Sequence, residues 1–176
     1  MKIRNALVIL LLPVFTLLAC AQDASKRPSP AAQAQCKFSD GKTVKSDYSS
    51  PRMKGRKIFG GLVPYGEVWR AGANDATTLV TDTNLNVGGK DVPAGSYTLF
   101  AMPNADKWVL IISKKTGEWG IPYPEGEDFG RTPMMKKAIA SPQEVMSISF
   151  EKTSGNKTEL HVKWETTDVY VPVMIM

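Results

Sequence analysis

The residue types able to do chemistry gather in two stretches of this chain. Residues 62–77, "LVPYGEVWRAGANDAT", carry Tyr65, Trp69, Arg70, Asn74 and Asp75 close together. Residues 116–132, "TGEWGIPYPEGEDFGRT", add Trp119, Tyr123, Asp128 and Arg131. Neither has a helical or strand period, so both read as loops. Two roles fit the first. In a ligand cleft, Tyr65 and Trp69 would form a stacking floor, Arg70 would hold an anion through paired donors, and Asn74 and Asp75 would supply directional hydrogen bonds. In a self-satisfying loop, Trp69 would plug the core, Arg70 would bond loop carbonyls and Asp75, and Gly66 and Gly72 would allow the turns. The second role is the expected one, because loops with unusual backbone mostly exist to pair their own polar groups. It makes Arg70 a buried, networked charge whose removal costs about 3–5 kcal/mol. The longer loop carries aromatics, which argues against disorder. The two loops are expected to pack together, with Arg131 facing Asp128 or Asp75.

Catalytic chemistry has few candidates. His161 is the single histidine. It stands at an outward position of an alternating stretch, with no nucleophile elbow to complete a triad. A glycosidase needs two facing carboxylates, and Glu67, Asp75, Glu118, Glu125, Glu127 and Asp128 all lie in loop sequence. "PEGED" at 124–128 lacks the spacing of a calcium loop. No metal site and no cofactor are expected. The formal charge of +5 is spread without a dense basic run, so no nucleic-acid partner is expected either.

The elements that must position these loops are strands. "GSYTLFAM" (95–102) and "KWVLIISK" (107–114) flank turn residues and read as a hairpin, the second strand covered on both faces. "EVMSISFEK" (144–152) alternates with Met146, Ile148 and Phe150 on one side. "TELHVKWET" (158–166) places Leu160, Val162 and Trp164 inward. "DVYVPVMIM" (168–176) does the same with Val169, Val171, Val173 and Ile175, while Pro172 marks an edge or a bulge. Residues 77–92 give a strand and a Gly-Gly turn, and 46–59 one or two short strands. The one helical candidate is "TPMMKKAIA" (132–140), with Thr132 as N-cap and Pro133 at the first helical position. The fold class is therefore all-β: an antiparallel β-sandwich or jelly-roll-like barrel with little helix.

The chain starts with an address. Lys2 and Arg4 precede an apolar run from Ala6 to Ala19, too short for a membrane span and suited to a signal peptide. The run ends "LLAC", which resembles a lipoprotein lipobox, with Cys20 as the acylated residue. Ala21 after it favours outer-membrane sorting. Residues 1–19 are expected to be a signal peptide, 20–35 a lipidated Cys and flexible tether, and 36–176 the β domain. With Cys20 acylated, Cys36 has no partner in the chain and is a free thiol or an intermolecular link.

The loop motifs also carry a family resemblance. Ser50-Pro51, Gly55-Arg56, Phe59-Gly60, Val63-Pro64-Tyr65-Gly66, Trp69-Arg70, Gly72-Ala73-Asn74-Asp75, Ala94-Gly95, Tyr97, Leu99 and Trp108 closely resemble the pattern of the bacterial family DUF2911. Asp128 and Arg131 match a later Asp-x-x-Arg. Ala71 and Asp75 stand where the pattern has Thr and Glu. The resemblance covers about residues 46–176 and implies an exported, mostly β domain, with no activity attached. The expected function is a membrane-anchored binding or interaction module of the bacterial cell envelope, facing the periplasm. Its partners would be the membrane, through the lipid anchor, and a carbohydrate or protein ligand. The alternative is a carbohydrate- or peptidoglycan-related hydrolase using loop carboxylates.

Overall fold

The computed structural model describes residues 28–176. The expected signal peptide and Cys20 lie outside that range. Nine strands follow in order: β1 (Ala31–Lys37), β2 (Thr43–Ser49), β3 (Thr78–Thr81), β4 (Leu85–Val87), β5 (Lys90–Val92), β6 (Gly95–Met102), β7 (Trp108–Ser113), β8 (Asp128–Ser154) and β9 (Lys157–Ile175). Every pairing is antiparallel. The spatial order is β1-β2-β3-β6-β7-β8-β9-β4-β5. The end strands do not pair, so the sheet is not closed into a barrel. The described residues contain no helix.

The long strands explain how one sheet makes a core. The first part of β8 pairs with β7, and the rest with β9. Register shifts around Gln143 bend it, and a bend of this kind is what bulges produce. Side chains from both limbs then meet in one apolar cluster. Leu79, Leu99 and Leu110 come from β3, β6 and β7, and Met146, Leu160 and Trp164 from β8 and β9. Phe59 is the hub, edge-on to Trp69, Trp108 and Trp164 at centroid distances of 6.0, 4.7 and 6.2 Å. Such aromatic pairs add about 0.5–1.5 kcal/mol each beyond the area they bury. The limbs also touch through backbone. Met53 N donates to Glu144 O at 2.8 Å and Met146 N to Pro51 O at 2.9 Å.

Two expectations are corrected, and the alternative left open for Cys36 is decided. Residues 132–140 are strand, not helix. Thr132 and Met134 are buried while Pro133 and Met135 are exposed, a period of two that outweighs the capping signals. Pro133 stands opposite Val109 in the ladder. The tether does not run to residue 35, since β1 begins at Ala31 and pairs with β2 along its length. Ala34 and Cys36 supply its inward face. The small apolar residues and glutamines of 31–35 form a half-buried strand because a partner was waiting, which composition cannot show. Cys36 is free but only 4 % exposed, its Sγ 3.5 Å from the Thr153 hydroxyl. It is therefore not placed for an intermolecular link.

Other readings hold. β6 and β7 form the expected hairpin, and both are buried on two faces. Leu99, Leu110 and Ile112 join the main core, while Phe100 and Ile111 join a second cluster with Ala76 on the opposite face. Gly88 and Gly89 turn between β4 and β5 with φ of 56° and 88°, the left-handed pair that a tight hairpin turn needs. Pro172 falls where β9 leaves β8 and takes up β4. It keeps its acceptor in use, receiving Gly88 N at 2.8 Å.

Candidate functional site

The two loops meet on the outer face of β6 and β7, over the second apolar cluster. Val68 and Tyr123 cover Phe100, Ile111 and Ala76 there. Ala76 N donates to Glu118 O at 3.1 Å, and Arg70 Nη1 to Trp119 O at 3.1 Å. Gly120 permits the approach: a Cβ at that position would lie 2.9 Å from Ala76 Cβ and 3.2 Å from Arg70 Cβ.

The first loop splits into an inner and an outer side. Trp69 faces the main core, stacked 6.1 Å from Trp164, and its Nε1 donates to Gly72 O at 3.0 Å. Its backbone exchanges both hydrogen bonds with Ala101 at 2.8 Å. Asn74 takes a left-handed φ of 57° and donates Nδ2 to Ser29 O at 2.9 Å. Thr77 Oγ1 donates to Ala71 O at 3.0 Å. To this extent the loop satisfies itself, as expected. Arg70 departs from the expectation. It is half-buried, bonds one carbonyl, and lies over the Trp119 ring with Cζ 4.6 Å from the centroid. Burial lowers its pKa, and the nearby charge of exposed Asp75 offsets part of that. It is a surface cation on an aromatic face, not a buried network charge.

Tyr65 is 43 % exposed and Trp119 is 51 % exposed. The Tyr65 ring lies against Gly60, where a Cβ would come within 2.6 Å of it. Beside them is a groove of about 180 Å³, lined by Leu62, Val63, Pro64, Glu67, Val68, Trp69, Arg70 and Ile121. Leu62 and Ile121 are 47 % and 65 % exposed. Sequence reading missed both. The signal available was an aliphatic residue with no periodic partner inside a Gly/Pro-rich loop.

The second loop contributes a separate clasp. The Tyr123 hydroxyl donates to Asp128 Oδ1, Arg131 Nε donates to Asp128 Oδ2 at 2.6 Å, and Arg131 Nη2 donates to the Tyr123 oxygen at 3.3 Å. Burial, followed by the bond to Asp128, pushes the Tyr123 pKa up to about 12. The hydrogen bond from Arg131 to Asp128 holds the guanidinium above its ordinary value. Arg131 thus takes Asp128 as partner, and both already belong to β8. Of the expected site residues, Trp69 and Arg70 line the groove, Tyr65 follows its lining residue Pro64, and Trp119 lies against Arg70. Asn74 and Asp75 do not line it, and Tyr123, Asp128 and Arg131 brace the second loop.

A charged cluster that sequence reading placed wrongly sits at the β8–β9 bend. His161 was expected to point outward into solvent, yet it is fully buried, as is Asp168. Glu165, with φ of 54°, changes the inward parity from Leu160, Val162 and Trp164 to Val169, Val171 and Val173. His161, Asp168 and Tyr170 then share one face. His161 Nδ1 lies 2.7 Å from Asp168 Oδ1 and Nε2 lies 3.0 Å from Glu159 Oε2, while the ring stacks on Tyr170 at 4.8 Å. Lys137 Nζ approaches Asp168 Oδ2 at 3.2 Å as an ion pair, without the angle of a hydrogen bond. Partial burial opposes ionisation of Glu151 and Glu159. Hydrogen bonds from Lys163 and Ser149 to the first, and from Lys152 and His161 to the second, nevertheless hold both below the usual carboxylate range. Among the described residues, no group of His, Cys, Asp and Glu is placed to hold a metal ion.

A family model described as "Protein of unknown function (DUF2911)" matches residues 29–173. No curated protein matches the chain. No solved structure matches it.

Proposed function

The chain belongs to the DUF2911 family, and on that premise we propose that it is a lipid-anchored interaction module of the bacterial cell envelope. Cys20 would tether it to the outer membrane, with the β domain in the periplasm. The "LLAC" sequence after a basic and apolar leader supports the anchor. The observation that carries the binding role is the clustering of Leu62, Tyr65, Trp119 and Ile121. These are half of the large apolar side chains left exposed among the described residues, and all belong to the two loops around one groove. A protein that did not use this face would gain by covering or replacing them.

The lining defines the ligand class. Leu62, Val68 and Ile121 suit an apolar body, and Arg70 suits an anionic group. A carbohydrate fits less well, because Arg70 covers one face of Trp119 and Tyr65 leans on Gly60. The hydrolase alternative loses Asp128, whose two oxygens are taken by Tyr123 and Arg131.

Anilinonaphthalene sulfonate, an apolar body with an anionic group, is a direct probe. Its fluorescence should rise on binding the wild-type chain, and Arg70→Ala and Ile121→Ser should both weaken that rise. Arg70→Ala should change stability by no more than about 0.5 kcal/mol, as for a surface site. Dye binding that ignores both substitutions would end the groove reading. The anchor is checked separately. Cys20→Ala should abolish partition into the detergent phase, and a variant that still partitions would end the lipoprotein reading.

A further inference from the structure

The described chain begins against the loop that lines the groove. Asn74 holds Ser29 O at 2.9 Å, Ala76 binds Glu118 O, and Arg70 binds Trp119 O. Arg70, Asn74 and Ala76 belong to one loop, which thus touches both the entering chain and the second loop with its exposed Trp119. The stretch from Cys20 to Pro28 can reach at most about 28 Å when fully extended. An acylated Cys20 would therefore keep this end of the domain near the lipid surface. A short tether gives the adjoining face a high effective concentration there.

The side chains on that end match a bilayer interface. Trp119 and Tyr65 are the aromatic types enriched at the headgroup level, where an apolar ring and a polar edge are both satisfied. Leu62 and Ile121 project beside them and can enter the acyl boundary. Arg70 sits on Trp119, and exposed Lys57 adjoins Leu62, whose N–H donates to Lys57 O at 3.1 Å. Both cations suit lipid phosphates, with Glu67 as the one acidic residue against the groove. The parts repeat the logic of interfacial anchors, in which one acyl signal is reinforced by apolar and basic side chains.

We propose that the rim formed by Leu62, Tyr65, Trp119 and Ile121, with Arg70, lies on the phospholipid surface to which Cys20 is anchored. This inference rests on the lipoprotein reading above and names the occupant of the same groove. The domain is then held in a fixed orientation on the membrane.

The test uses the full-length lipidated chain in vesicles of phosphatidylethanolamine and phosphatidylglycerol, brominated on the acyl chain near the carbonyl. The sequence has four tryptophans. Trp108 and Trp164 are each 1 % exposed, and Trp69 faces the core, so Trp119 is the one placed for contact with lipid. Tryptophan emission should be quenched, and Trp119→Phe should lose the quenched component. The double variant Leu62→Glu, Ile121→Glu should float with the vesicles but lose the quenching, with its melting temperature kept. A wild-type chain that floats with unquenched Trp119 overturns the inference and leaves the groove to a soluble protein. A wild-type chain that fails to float brings down the lipoprotein reading and this inference together.

Discussion

The loop pair around Arg70 and the strand bend around His161 handle charge in opposite ways. Arg70 rests on an exposed ring with one carbonyl partner. His161 and Asp168 are sealed from solvent, with Glu159, Glu151, Lys163 and Lys137 gathered round them. A surface cation costs little to desolvate and stays available to a ligand. A buried carboxylate is tolerable only when its partners are nearly complete, and removing one member of such a cluster leaves the others uncompensated. The bend therefore carries structure, and the proposed ligand role falls to the groove.

The largest expected effect tests the bend. Asp168→Ala strips the partner from buried His161 and from Lys137. It should cost about 3–5 kcal/mol, a large share of the roughly 5–15 kcal/mol that holds a domain folded. Denaturant melts would show it as a lower midpoint. A loss no greater than that of Arg70→Ala would erase the contrast between the two regions.

An intermediate effect sharpens the loop side. Asn74→Ala loses the hydrogen bond to Ser29 and must hold a left-handed backbone without a side chain suited to it. Together these should cost roughly 1–2 kcal/mol. Asn74→Gly removes only the bond and should fall well short of that. Equal losses in the two variants would mean that the backbone of Asn74 is not strained.

The smallest effect concerns pH. Tyr123 ionises near 12 in the fold against an ordinary value of 10. The folded state therefore holds this proton more tightly than the unfolded chain does. The corresponding stability is full below pH 10 and is lost as pH rises through the window to about 12. Tyr123→Phe should flatten the decline of the melting midpoint across that window and remove a late component from the tyrosinate absorbance titration. Tyr97, also held up by burial, would continue to titrate late. A titration unchanged by the substitution would show that the Asp128 clasp does not form in solution.

Much of this was legible beforehand. Alternation named the inward residues of β8 and β9, from Met146 and Ile148 to Leu160, Val162 and Trp164. The Gly-Gly pair marked its hairpin, and the two loops were expected to meet. The failures share a cause. Thr132-Pro133 carries good helix-start chemistry, but the edge offered by β7 decided for strand. His161 occupied an outward position by parity, and the bend at Glu165 folded that outer face over it. Leu62 and Ile121 had no period to mark them, so their role at the rim appeared only once Gly120 had seated one loop on the other.

By itself, the sequence determined what depends on neighbours along the chain: strand periodicity, turn residues and the long motif of the family. Tertiary structure alone decided which charges are buried, which aromatics stay open, and that Ser29 enters against Asn74. Those outcomes depend on which distant segment arrives at each face. A side chain's burial is set by that arrival and not by its own type or spacing.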